Sequence, residues 1–121
     1  MKRAEFIKLW VEALRSGEYK QTKATLVDTE SKTPKYCCLG VACEIVNKNR
    51  KTQLEFVGKN YLPYEMQKLL GIKEGGAFVV PIEIRGKSYA SLVHLNDGGV
   101  KFKTIARIIE EQMEAKNFQK P

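Results

Sequence analysis

Apolar residues return every three or four positions in three stretches of the chain. Phe6, Leu9, Trp10, Ala13 and Leu14 trace one face of a helix over residues 3–15, which Ser16-Gly17 stops. Cys38, Val41, Ala42, Ile45 and Val46 form a second stripe within residues 36–46. That stripe leaves little room for polar chemistry and predicts the central buried helix. Gly40 inside it costs about 1 kcal/mol against Ala, which predicts close packing of another backbone there. Phe102, Ile105, Ala106, Ile109 and Met113 form the third stripe, on the last helix. A shorter helix opens at Leu62-Pro63, turns Met66, Leu69 and Leu70 inward and closes at Gly71.

Between the helices the period falls towards two. Residues 18–27, with Tyr, Thr and Val at mostly alternating positions, read as a strand or extended segment, and residues 54–57 as a short strand. Residues 78–84 and 88–93 flank Arg85-Gly86-Lys87 as a β-hairpin with a basic tip. Pro81 cannot donate to a ladder, so its strand should lie at an edge or carry a bulge. Asn96-Asp97-Gly98-Gly99 reads as a loop that opens the last helix, and the polar tail after Ala115, residues 116–121 included, reads as frayed. The predicted fold class is therefore α+β: one small domain over residues 1–121, with about four helices packed on a short antiparallel sheet or hairpin. No glycine-rich phosphate motif follows a strand, which argues against Rossmann and P-loop folds.

Composition adds charge to this picture. The net charge is +7 over 121 residues, and the cations are spread along the chain rather than gathered in a tail, as expected of a positive face or pocket for an acidic partner. There is no run of apolar residues long enough to span a membrane, and the charged start Met1-Lys-Arg-Ala-Glu-Phe does not resemble a signal peptide, so the expected location is the cytoplasm, with no membrane partner. Cys37, Cys38 and Cys43 lie within seven residues of an otherwise cysteine-free chain holding a single His. Reduced thiols are then expected, and no metal site or cofactor.

The last helix carries its charges against its dipole, with Lys101 and Lys103 in the first turn and Glu110, Glu111 and Glu114 in the last. Free N–H groups, the dipole and two lysines together make an anion site. Tyr19, Lys20, Gln21 and Lys23 place an aromatic ring, an amide and two cations close together, a mixture able to stack a base and hold a phosphate.

Three pieces taken together resemble a widespread family of small bacteriophage and prophage proteins. They are Leu9-Trp-Val-Glu-Ala-Leu-Arg-Ser-Gly-Glu-Tyr-Lys-Gln21, Tyr36-Cys-Cys-Leu-Gly-Val-Ala-Cys43, and Leu95-Asn-Asp-Gly-Gly99 followed by Phe102 and Ile105-Ala106. The similarity runs from about residue 3 to residue 111 and implies a host-cell cytoplasmic setting. Where that family often has Ser or Thr as the cap before Phe, this chain has Lys101, which weakens the cap. Small phage accessory proteins of this size include sponges that sequester the cyclic nucleotide or ADP-ribose-derived signals of CBASS and Thoeris defence.

The leading expectation is a non-enzymatic binder of an anionic, nucleotide-like ligand, in a pocket of the kind often formed at a homo-oligomer interface. Tyr19 and Tyr36 would stack, Gln21 and Asn96 would read polar edges, and Lys20, Lys101, Lys103 and Arg107 would neutralise phosphate. Asp97 would accept from a ribose hydroxyl or shape the loop. The alternative is a basic protein that binds nucleic acid or a host protein. An enzyme using Asp97 or Cys37 is a third reading, and it lacks a paired acid and base.

Overall fold

The computed structural model describes residues 2–50 and 53–121. Five helices, α1 (Arg3–Ser16), α2 (Cys38–Asn49), α3 (Tyr64–Leu70), α4 (Leu92–Asp97) and α5 (Phe102–Glu114), join two small sheets. β1 (Lys20–Gln21), β2 (Val27–Asp28) and β3 (Lys35–Tyr36) form a three-stranded sheet in the order β1-β3-β2, and β4 (Ala77–Ile84) pairs with β5 (Lys87–Ser91) as a hairpin. The class is α+β, as the periodicities predict. The first sheet is mixed rather than antiparallel, because β1 runs parallel to β3 with Lys20 opposite Lys35 and Gln21 opposite Tyr36.

α2 is the centre. Every residue of it from Cys38 to Cys43 is buried, with α1 against one side and α4 against another. The Trp10 indole of α1 donates to the Cys38 carbonyl at 2.8 Å, so the ring is buried with its one polar atom satisfied. Gly40 has the role its position predicts: a Cβ there would lie 1.8 Å from the Leu26 carbonyl oxygen, so only glycine lets the strand segment lie on the helix. α5 packs along α1 and buries Phe102, Ile105, Ala106, Ile108 and Ile109, and Arg15 pairs with Glu110 between the two helices.

Three expectations fail. Residues 92–97 form the helix α4, where the sequence predicts an extension of the second hairpin strand and then a loop; Ser91 caps it by accepting from the His94 N–H at 3.1 Å. Residues 54–57 are not a strand. The Asn47 side chain stands in for a strand neighbour, donating to the Leu54 carbonyl at 3.1 Å and accepting from its N–H at 2.7 Å, while Phe56 enters the core. The tail after Ala115 is docked, not frayed. Phe118 is buried against Phe78, and Gln119 N–H donates to the Ala77 carbonyl at 2.8 Å. Asn117 completes the dock by pairing its side-chain amide with both the N–H and the carbonyl of Val80, each at 2.8 Å. β4 carries the irregularity expected beside Pro81, a register shift between Ala77 and Ile82.

Candidate functional site

The hairpin turns at Arg85 and Gly86, both with left-handed backbone (φ 52° and 80°), between the paired residues Ile84 and Lys87. Two residues of positive φ match the twist of the strands they join. Glycine adopts that conformation freely; an arginine there costs of order 1 kcal/mol. The tip therefore carries a cation at some expense to the backbone.

Between this tip and the start of α5 runs a groove of about 560 Å³ lined by Arg85, Lys87, Lys101 and Arg107, with Gly98, Gly99 and Thr104 between them. No carboxylate is among these lining residues. Lys101 is the N-cap of α5 and makes no side-chain cap, so the helix start keeps unpaired N–H groups beside the groove. Arg107 meets Glu111 at 2.8 Å, but both side chains are more than half exposed, and an exposed i,i+4 pair is worth about 0.3–0.5 kcal/mol. That pair yields readily to an anion. Lys87 lies over the Tyr89 ring at 5.4 Å, and the ring is itself buried, so the groove offers charge rather than a free stacking surface.

Of the nine residues selected from the sequence, the structure brings only Lys101 and Arg107 to this groove. Lys103 is exposed on α5 away from the lining, and Lys20 is exposed on β1 beside Lys35. Tyr19 and Tyr36 pack edge to face on each other at 5.3 Å, and Lys48 donates to the Tyr19 hydroxyl at 2.8 Å. Burial, and next the Glu44 charge, raise the Tyr36 pKa. Those rings are engaged by each other and by Lys48, not held open for a base.

Gln21 and Asn96 form the junction of the fold. Asn96 is 1% exposed. Its Oδ1 accepts from Gln21 Nε2 at 2.9 Å and from the Cys38 N–H at 3.1 Å. Its Nδ2 donates to the Thr22 carbonyl at 2.8 Å and to Asp97 Oδ1 at 3.3 Å. Gln21 Nε2 also donates to the Val100 carbonyl at 2.8 Å. All four hydrogen-bonding positions of the Asn96 amide are filled from within the chain, so it has none left for a ligand.

Arg85 and Lys87 are the groove residues that sequence reasoning did not assign to the site. The signal was present as the basic tip flanking Gly86; what was missing was the fold-back that carries the tip to α5. Burial raises the thiol pKa of Cys37, lifts that of Cys38 well above the ordinary range and lifts that of Cys43 to about 12, so none is an activated nucleophile. Among the described residues no group of His, Cys, Asp and Glu is arranged to hold a metal, and no helix is long and apolar enough to cross a membrane.

A family model described as a domain of unknown function, DUF8296, matches residues 1–113. The chain belongs to the DUF8296 family. No curated protein and no solved structure matches it. The matched span of this DUF8296 chain includes the groove and the Asn96 junction, and it ends within α5, before Phe118.

Proposed function

We propose that this DUF8296 protein binds a phosphate-bearing anion in the groove between the hairpin tip and α5, without catalysis. The observation that carries the reading is the convergence of Arg85, Lys87, Lys101 and Arg107 on one groove whose lining holds no carboxylate. Like charges brought together repel one another, and a multiply charged anion relieves that repulsion while accepting charge-assisted hydrogen bonds. The narrower form of the proposal is a phage-type accessory protein that sequesters a cyclic oligonucleotide or ADP-ribose-derived immune signal. The likeness of its Cys-Cys-Leu-Gly-Val and Leu-Asn-Asp-Gly segments to phage and prophage proteins supports that form. A sequestering protein needs no acid–base pair and releases its ligand unchanged.

The test is thermal shift and calorimetry against cyclic di- and trinucleotides, ADP-ribose isomers and inorganic pyrophosphate, with an Arg85→Glu/Lys101→Glu double variant beside the native protein. At a hundred times the dissociation constant a ligand stabilises the native state by about 2.7 kcal/mol. The double variant should lose that gain while keeping its own unfolding transition. A flat response across the panel refutes the proposal, and chromatographic conversion of a ligand refutes its non-catalytic part.

A second reading, nucleic-acid binding, is favoured by the exposure of Arg85, Gly86 and Lys87, which would let a strand run past the tip. Its signature is a steep fall of affinity with salt, with slope about −0.7 to −0.9 per phosphate contact.

A further inference from the structure

A second cavity, of about 210 Å³, is lined by Ala24, Thr25, Cys37, Asn60, Val93 and Asp97, and its chemistry is opposite to that of the groove. Among the described residues its one charged lining residue is a carboxylate, in a chain of net charge +7. Asp97 is fixed there through one oxygen. Oδ1 accepts from the Ala24 N–H at 3.1 Å and from Asn96 Nδ2 at 3.3 Å, and among the described residues no donor reaches Oδ2. Ala24 presents that N–H from a left-handed backbone, φ 64°.

The other polar walls can also accept. Thr25 Oγ1 directs its proton at the Val27 and Lys59 carbonyls, each at 3.3 Å, which leaves its lone pairs free. Cys37 Sγ faces the start of α2, where the Gly40 N–H donates to it at 3.4 Å. Asn60, an exposed amide, completes the polar lining with a carbonyl oxygen able to accept and an NH2 able to donate. Ala24 and Val93 are the apolar walls. The neighbouring Lys23 ammonium does not fill the cavity; it lies beside Gly99, 3.9 Å from where a Cβ on that glycine would stand.

We propose that this cavity binds a small protonated primary amine, its ammonium group on Asp97 Oδ2 and the acceptors around it, its short carbon body against Val93 and Ala24. An ammonium has three donors and no acceptor, which matches a wall of acceptors around one carboxylate; a neutral alcohol of the same shape offers a single donor and no charge. The site is separate from the phosphate groove and does not depend on the reading given to that groove.

Cys37 provides a reporter at the cavity wall, since Cys38 and Cys43 are fully enclosed while Cys37 is 6% exposed. The probes are n-butylammonium chloride and 1-butanol, with sodium chloride at equal ionic strength as control. The readout is the rate of Cys37 modification by iodoacetamide, followed by peptide mass mapping. Saturable protection by n-butylammonium is expected, about tenfold at nine times its half-saturating concentration, with little protection by 1-butanol. Asp97→Asn keeps an Oδ1 for Ala24 and Asn96 but removes the charge, and should abolish the protection, each protein's rate with probe being compared with its own rate without it. Equal protection by the alcohol overturns the proposal, as does protection that survives in Asp97→Asn or a rate unmoved by either probe in the native protein. The comparison of amine with alcohol stands on the native protein alone, so it decides the matter even where the variant unfolds.

Discussion

Replacing Asn96 with Ala isolates the hydrogen-bonding junction from the groove, because Asn96 is not among the groove's lining residues. The structure fixes what each partner loses. The Cys38 N–H, in the first turn of α2 and fully buried, is left with no acceptor, which costs about 1–3 kcal/mol. The Thr22 carbonyl, half-buried and partly reachable by water, loses its donor at about 1 kcal/mol. Gln21 retains the Val100 carbonyl and Asp97 retains the Ala24 N–H, so neither adds much. The space vacated by the amide in a closed core adds about another 1 kcal/mol. The expected loss is about 3–5 kcal/mol, roughly a fifth or more of the 5–15 kcal/mol that holds a typical domain, or about 10–20 °C in Tm. Urea unfolding followed by Trp10 fluorescence and by circular dichroism measures it, the indole being buried against α2. Gln21→Ala alone should lose about 1 kcal/mol, and the double variant less than the sum of the two, since the side chains share one bond while Gln21 also holds the Val100 carbonyl. A loss below about 1 kcal/mol in Asn96→Ala would show that water or rearranged backbone takes over the amide's role, and would refute this account of the junction.

Gly40→Ala places a methyl group 1.8 Å from the Leu26 carbonyl oxygen, so the strand or the helix must move; about 3 kcal/mol or more is lost in denaturant titration despite the roughly 1 kcal/mol that alanine gains in helix propensity. Phe118→Ala removes a ring buried against Phe78 and should cost about 3 kcal/mol by the same measurement; hydrogen exchange should show faster opening of Ala77 to Val80, and an unchanged exchange pattern would mean that the tail does not hold β4. Because the folded Cys43 thiol is raised to about 12 from the ordinary value near 9, its protonated form belongs to the native state. The stability it contributes is fully present below about pH 9 and falls by about 1.4 kcal/mol per unit between there and pH 12 in proton-linked unfolding curves, a share of the slope that a Cys43→Ala variant should remove while the raised Cys37 and Cys38 thiols keep theirs.

The three long apolar stripes were legible because each repeats the helical period over nine or more residues, and the buried Trp10 and Gly40 followed from their places on and within those stripes. α4 was not legible for a physical reason. Six residues cannot establish a 3.6-residue period, and Leu92-Val93 continue the apolar pattern of the preceding strand. Only the Ser91 cap marked the change. The tail was misread because its polar letters conceal one anchor: Asn117 and Gln119 bond to the β4 backbone on either side of Phe118, so polarity there serves strand-like pairing rather than solvation. The site was half legible. Charge pointed to the start of α5, but Tyr19, Gln21, Tyr36 and Asn96 drew attention as ligand groups because sequence shows that a polar or aromatic group is present and not whether a partner within the chain already occupies it. Asn96 lies 75, 74 and 58 residues from Gln21, Thr22 and Cys38, distances at which no local pattern reports a hydrogen bond.

The same spacing governs when the protein can fold as it leaves the ribosome. The first turn of α2 has no acceptor for its Cys38 N–H until residue 96 has emerged, and neither the parallel pairing of β1 with β3 nor the Gln21 amide is locked before then. A nascent chain grows at about 5–20 residues per second, so for several seconds the apolar surfaces of α1 and α2 face the cell without their polar fastening. A chain organised in this way commits to its fold late, and early truncation products would meet proteases and chaperones before they could close the junction.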